Sequence, residues 1–307
     1  MKRSEFDRRM NWTLPKKIEE SKKRIVEWYE AWEGNVYISF SGGKDSTVLA
    51  DLVWSIFPKV PAVFANTGME YPEIVKFVKE IKQNHPVKII HPEITFPKVI
   101  ENYGYPVISK KISRMVETLQ NPSEKNQNLR RYYLHGIRMD GVYIKQARLP
   151  KKWHKLIHAP FKISDKCCNH LKKNPFIKYE KETNNSPLLG IMAYESKIRE
   201  GQYLKKGCND FGNKRPRSWP ISFWREKDIW NYIKLSNLPY SDIYNKGLPR
   251  TGCMFCLFGV HMEKESRFEI MKRIHPKLYS YCIEELKIGE VMEYLEIPLL
   301  RNQKRLW

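Results

Sequence analysis

Apolar residues between Lys16 and Trp32 recur near helical spacing (Ile18, Ile25, Val26, Trp28, Tyr29, Trp32), and Glu33-Gly34-Asn35 ends the run, which predicts a helix and then a turn. Strand-length patterns follow. Val36 to Phe40 is a short apolar, β-branched run; after a glycine-containing stretch, Thr47 to Phe57 is apolar on one helical face. The alternation then repeats. Pro61 to Ala65 and Val87 to Ile90 read as buried strands around a helical stretch from Tyr71 to Asn84, and Leu188 to Ala193 reads as a fourth strand. Strands alternating with helices predict an α/β fold, a parallel twisted sheet with helices on both faces. Between Ser113 and Asp165 the periodicity weakens, as for an insertion or mobile arm rather than core. Lys227 to Leu235 returns to helix. The stretch from Lys264 to Glu285 is amphipathic with Pro276 as its break, so the C-terminal part is expected to be mostly helical.

Charge changes this picture more than composition does. The chain has 307 residues, 41% of them hydrophobic, enough for a full core and an appendage. Its 55 Lys plus Arg against 34 Asp plus Glu give a formal charge of +21, far beyond what solubility needs. A generally basic surface and a polyanionic partner both accommodate such a surplus, and its clustering favours the partner. Lys110, Lys111, Arg114, Lys125, Arg130, Arg131, Arg138, Lys145, Arg148, Lys151, Lys152 and Lys155 fall in one segment, interleaved with Tyr132, Tyr133, Tyr143 and Trp153. Cations for phosphates and rings for bases make a nucleic-acid track from Lys110 to Lys155 the expected reading. The apolar stretches are strand-length and broken by charge, and no apolar region follows the basic N-terminus, so no membrane partner and a cytoplasmic location are expected. Six cysteines without an export signal do not form a disulfide framework. Four come in tight pairs, Cys167-Cys168 and Cys253/Cys256, a pattern that points to metal; Cys208 and Cys282 stand alone and read as structural.

The glycine-containing stretch is Ser41-Gly42-Gly43-Lys44-Asp45-Ser46. A strand running through it into a helix gathers backbone N–H groups and a helix N-terminus around one small volume suited to an anion. Lys44 adds a point charge, Ser41 and Ser46 add hydroxyls, and Asp45 is placed to hold Mg²⁺ beside a pyrophosphate. The spacing is neither Walker A nor GxGxxG, so it is a different phosphate cradle.

These residues resemble the PP-loop ATP pyrophosphatases, the adenine nucleotide α-hydrolase superfamily. The resemblance implies ATP bound at Ser41, Gly42, Gly43, Lys44, Asp45 and Ser46 and split between its α and β phosphates. Phe64 to Pro72 resembles the NTGxExP segment of the branch related to phosphoadenosine phosphosulfate (PAPS) reductases, which adds Asn66, Thr67, Gly68 and Glu70 to the nucleotide site. Their place after a second parallel strand suits a ligand crevice. Gly190 to Arg199 resembles the same branch's nucleotide-proximal element and puts Arg199 beside Lys44 and Asp45 as a catalytic residue; Met192 stands where the branch has Arg. Trp219 to Trp230 resembles its WPxxxWxxxDIW segment and reads as packing. Asp165 to Pro175 is similar to the CCxxxKxxP signature and Gly247 to Cys256 to RxGCxxC, in adenylylsulfate reductases and DndC-type DNA phosphorothioation proteins. The resemblance implies Cys167, Cys168, Cys253 and Cys256 as ligands of one [4Fe-4S] cluster. A structural Cys₄ zinc site is the alternative that four thiolates alone allow. The expected division is residues 1–34 as a helical segment, 35–240 as the nucleotide-binding domain with the basic insertion near 113–165, and 241–307 as a C-terminal segment tied in by the metal centre.

Two departures set the functional expectation. The ECGLH motif that carries the nucleophilic cysteine of the reductases is missing, and the SGGKDS loop is intact where reductases tend to have it eroded. ATP-dependent adenylation of a substrate for sulfur incorporation, into nucleic acid in the DndC-like or RNA-thiolating manner, is therefore the leading expectation, with a cysteine desulfurase as donor partner. The alternatives are a reductase making sulfite with a thioredoxin-like partner, and a non-catalytic nucleic-acid-binding subunit.

Overall fold

A computed structural model describes residues 2–212 and 214–298; the last part of the expected C-terminal segment, 299–307, lies outside the described residues. In chain order the helices are α1 (Arg3–Met10), α2 (Leu14–Ala31), α3 (Lys44–Trp54), α4 (Pro72–Asn84), α5 (Phe96–Tyr103), α6 (Lys110–Gln120), α7 (Gln127–His135), α8 (Asn174–Thr183), α9 (Lys197–Lys206), α10 (Glu226–Leu235), α11 (Arg267–Ile274), α12 (Pro276–Ser280) and α13 (Ile288–Tyr294). The strands are β1 (Val36–Phe40), β2 (Ala62–Ala65), β3 (Val87–Ile90), β4 (Val107–Ile108), β5 (Ser186–Leu189), β6 (Asn209–Asp210), β7 (Arg217–Ser218) and β8 (Leu257–Phe258). They form two compact units. One comprises the residues to Asn66, Glu70–His91 and Pro175–Thr251; the other comprises Thr67–Met69, Pro92–Asn174 and the chain from Gly252.

The first unit is built on a six-stranded sheet in the order β3-β2-β1-β5-β7-β6, parallel except for β6 against β7. Helices cover both faces, as the alternation of patterns predicts. In β1, Val36, Tyr37, Ile38 and Phe40 are buried, and the apolar side of α3 (Val48, Leu49, Leu52, Val53) is fully buried as well. Strand order reverses beside β1, between β2 and β5, the switch point where open α/β sheets hold ligands outside the carboxyl ends of their strands. Two boundaries differ from expectation. Helix α3 begins at Lys44 rather than Thr47, so the loop's own lysine opens the helix. Strand β5 ends at Leu189, short of the expected Ala193, because the chain at Gly190 passes against the start of α3 and turns away.

One buried ion pair fixes α10. Lys17 Nζ on α2 donates to an Asp228 carboxylate oxygen at 2.6 Å and to the Met10 carbonyl at 2.9 Å, while the Arg225 amide donates to Asp228 at 2.7 Å. A pair this deeply buried contributes little net stability, but losing one partner strands the other, a penalty of about 3–5 kcal/mol. Its consequence is positional: it holds the first turn of α10, and with it Glu226 and Trp230.

The second unit is mostly helical, with one short parallel pair, β4 and β8. The weakly periodic stretch from 113 to 165 is ordered here rather than a mobile arm. Ile112, Met115, Val116 and Leu119 of α6 are buried, and the Ser109 side chain caps the helix by accepting from the Ile112 amide. Beyond α7 the chain runs in short tight turns tied by side chains: the Gln120 amide donates to the Leu156 and Phe161 carbonyls and its oxygen accepts from the Ile163 amide, all at 3.1 Å. Such bonds have no sequence period, which is why the pattern fades there. The expected break at Pro276 separates α11 from α12. Among the described residues, no helix is long and apolar enough to cross a membrane.

Candidate functional site

The phosphate loop is locally self-supporting. The Ser46 hydroxyl accepts from the Ser41 amide (3.1 Å), lies 3.0 Å from the Ser41 hydroxyl and donates to the Gly43 carbonyl (2.9 Å); Thr47 donates to the same carbonyl at 3.0 Å. Gly42 has φ +68°, the left-handed region, and a Cβ there would come within 2.9 Å of Ile74 and Val78. A Cβ on Gly43 would meet the Thr251 hydroxyl at 2.4 Å. Both glycines are thus required by geometry, one by backbone conformation and both by close approach.

Segments distant in sequence complete the loop. Lys44 is 3% exposed; its Nζ donates to the Pro249 carbonyl at 3.1 Å, pairs with Glu226 at 3.2 Å, and faces the rings of Tyr244 and Trp230 at 5.3 and 5.9 Å. The Lys44 amide donates to the Tyr244 hydroxyl at 2.8 Å. Burial pushes that phenol up to about 12, so it stays a neutral acceptor. Trp230, Tyr244, Pro249, Thr251 and Glu226 were not singled out as site residues by sequence; Trp230 stood as packing. No periodicity signals a contact made across 200 residues, and the one available hint was the Pro/Gly-containing run into Cys253.

Asp45 is the unusual group. Its Oδ1 is buried and makes no hydrogen bond. Burial raises its pKa; Lys44 opposes this, Glu226 adds to it, and Arg250 and Arg199 oppose it. A carboxylate held out of water, with one oxygen unpartnered and three cations around it, is suited to bind Mg²⁺ on a polyphosphate. Arg199 on α9 contacts Glu195, and Arg250 lies 3.7 Å from the same carboxylate. Met192, in the place of the expected arginine, is 2% exposed.

Gly190 sets how close β5 comes to this helix start. A Cβ there would lie 3.0 Å from the Asp45 carbonyl oxygen and from the Ser46 Cα and N, all backbone atoms with little freedom to shift. Gly190→Ala is expected to destabilise the unit by about 1–3 kcal/mol. Thermal melts of the variant and the wild type check this; unchanged melting would mean the contact relaxes.

The second strand's segment divides. Asn66 follows β2 at the same sheet edge as the loop, given the register Phe40↔Phe64, and its amide donates to the Ile90 carbonyl at 2.9 Å. Glu70 belongs to the same unit, whereas Thr67 and Gly68 belong to the second. There Thr67 accepts from the Met69 amide (3.2 Å), and the Met69 carbonyl accepts from the Met254 amide (2.9 Å), inside the CxxC turn.

In the second unit Cys167, Cys168, Cys253 and Cys256 line one small cavity with Met69, Phe96, Pro106 and Leu171. The sulfurs of Cys167 and Cys168 are 4.0 Å apart. A hydrogen bond from Cys167, with Lys110 and Lys172 nearby, pulls the Cys168 thiol down to about 6 against the opposing effect of burial; that hydrogen bond and burial push Cys167 up. Burial and the charge of Cys253 push Cys256 up to about 11. The cavity thus brings the two sequence pairs of cysteines together against an apolar wall, with Lys172 also in its lining. No group of three or more His, Cys, Asp or Glu side chains that could hold a metal ion is found among the described residues. Cys282 is fully buried, its thiol pushed up by desolvation; Cys208 is 5% exposed and raised to about 12 by burial.

The fold and loop place the chain in a family that the comparisons show directly. The phosphoadenosine phosphosulfate reductase domain family matches residues 35–141 and 108–257, and the chain belongs to it. Over 252 residues it is 24% identical to an adenosine 5′-phosphosulfate reductase of Staphylococcus epidermidis, with 79% of each chain covered. It is 25% identical over 277 residues to an uncharacterized protein of Methanocaldococcus jannaschii, covering 88% of this chain and 53% of that one. Among solved structures, the phosphoadenylyl-sulfate reductase of Candida auris in its phosphate complex has a TM-score of 0.45 at 16% identity, covering 82% of this chain and 96% of that one.

Proposed function

We propose that this protein is an ATP-using member of its family that adenylates a nucleic acid and prepares it for sulfur incorporation. The observation that carries the reading is Asp45: an intact phosphate loop with a buried, unpartnered carboxylate oxygen among Lys44, Arg199 and Arg250 suits Mg²⁺ and a pyrophosphate leaving group. In the reaction an oxygen of the acceptor attacks the α phosphorus of ATP and pyrophosphate leaves, carrying its charge onto Lys44 and the loop. The outer sulfur of a persulfide on a desulfurase-type donor then displaces AMP, which leaves with the activated oxygen, and a thioredoxin-like dithiol reduces the resulting disulfide, freeing the donor's thiol and leaving the sulfur on the acceptor. Catalysis of this kind rests on positioning and charge stabilisation. Asn66 and Glu70, in the same unit as the loop, are proposed to hold the adenosine side. When loaded, the four-cysteine centre supplies redox or sulfur-relay chemistry; thiols lining a cavity favour a [4Fe-4S] cluster, with zinc as the alternative.

The adenosine 5′-phosphosulfate reductase reading draws on the relatives' names, and the burial of Cys282 weighs against it. A reductase nucleophile needs a reachable thiolate, and burial disfavours that form. One assay separates the two readings: pyrophosphate release from ATP that rises with single-stranded DNA or RNA supports adenylation, while sulfite formed from adenylylsulfate without ATP would sink it.

A further inference from the structure

The basic segment does more than carry charge. Lys110, Lys111 and Arg114 on α6 face Tyr132 and Tyr133 on α7 across a cavity of about 420 Å³, with Met115, Ile144 and Ala147 also in its lining. That is within the range of small-ligand clefts, roughly 300–1,000 Å³. Its cations are held in place: Arg114 donates to Asp165 at 2.7 Å, and the Lys111 ammonium donates to the Gln146 carbonyl at 2.5 Å. Apolar walls, two phenol rings and a rim of three cations match the parts of one nucleotide: a flat base, a sugar and a phosphate. Next to the cavity, the hairpin bridged at Ile137↔Tyr143 exposes Met139 (83%) and Tyr143 (57%) beside Arg138, apolar surface of the kind that neighbouring bases cover.

We infer that this cavity is a nucleic-acid subsite, taking one unstacked nucleotide of a single-stranded segment, its phosphate on Lys110, Lys111 and Arg114 and its base against Tyr132 and Tyr133. The inference rests on the nucleic-acid acceptor proposed above and deepens it. DNA and RNA share this chemistry, and the cavity fits a strand end or loop better than paired bases, which cannot enter it without unstacking.

Lys111→Gln and Tyr132→Leu test it. Fluorescence anisotropy of the full chain with labelled 12-nucleotide single-stranded DNA, single-stranded RNA and duplex, across a salt series, is expected to show single strands preferred. The favoured single strand, DNA or RNA, identifies the source. Tyr132→Leu should weaken binding by roughly five- to a hundredfold, the usual effect of losing one base–aromatic stack. Lys111→Gln should weaken it and lower the log–log salt slope by about one. Photocrosslinking of a 5-iodouracil oligonucleotide to the wild-type protein should mark peptides within residues 110–147, and this result decides if a variant does not fold. Variants that bind as tightly as wild type, crosslinks mapping elsewhere, or AMP and UMP binding as tightly as the 12-mers would each overturn the subsite. The nucleic-acid acceptor would survive the first two of these. No binding of any nucleic acid overturns both.

Discussion

Asp45→Asn is expected to lower pyrophosphate release from ATP by roughly 10²–10³-fold while leaving the protein as stable as before, or more so. The substitution keeps the shape of the side chain and removes its charge. In the unliganded site that charge is a burden: it is buried, one oxygen lacks a partner, and burial outweighs the help of Lys44, Arg250 and Arg199, so the pKa is raised. The sign follows directly. A carboxylate with its folded pKa above its unfolded one favours folding only while protonated, below the unfolded pKa, and that contribution is lost as pH rises through the folded pKa. The melting temperature of Asp45→Asn relative to wild type should therefore rise from acid toward neutral pH when nucleotide and Mg²⁺ are absent. With Mg²⁺ and ATP the order should reverse, because only the carboxylate gains from the metal. Differential scanning fluorimetry across pH, with and without Mg-ATP, and a coupled pyrophosphate assay give both readouts. Wild-type turnover in the variant would remove Asp45 from the chemistry.

The fold and the loop were legible because both are local. A strand, a glycine turn and an amphipathic helix lie within about twenty residues, and the strand's continuous apolar run and the helix's 3.6-residue period survive in the sequence. The cysteine pairs were legible for the same reason, since each pair is contiguous or spaced by two. What the sequence hid is whatever is made by approach. Tyr244 takes the amide of Lys44, Thr251 sits where a Gly43 side chain would be, and Glu226 pairs with Lys44, yet none of these residues is near the loop in sequence. Trp230 illustrates the point best. By pattern it belongs to a packing segment; in space its ring faces the loop lysine, because the Lys17–Asp228 pair fixes the helix that carries it. The stretch from 113 to 165 was hidden differently: the apolar positions of α6 begin at Ile112, and the turns beyond it are held by polar side chains rather than by an apolar stripe.

Cys256→Ser should abolish the metal content of anaerobically purified protein and lower the melting temperature by roughly 10 °C or more. The cysteines come from two parts of the second unit, the turn before α8 and the segment after Gly252. These parts also meet at β4 with β8 and through the Tyr105 and Tyr294 hydroxyls, which donate to the Leu286 and Lys155 carbonyls, and the shared cavity adds the cysteines to those contacts. A bound metal group adds its binding free energy to folding, about 10 kcal/mol or more for thiolate sites, and in a chain of this size each kcal/mol moves the melting point by about two degrees. Serine keeps the size of the side chain but is a poor ligand for a soft metal. Iron near four per chain with a brown colour identifies the cluster; zinc near one per chain without colour identifies the alternative. Cys282→Ala is the control, because that thiol is fully buried and is not among the residues lining the cavity. It should lower the melting point by a few degrees, as removing a small buried group does, and leave metal content and pyrophosphate release intact. If instead Cys256→Ser retained its metal and its stability, Cys256 would not be a ligand. If Cys282→Ala abolished a sulfite-forming activity while leaving the metal in place, Cys282 would become the working thiol and the reductase reading would replace the one proposed.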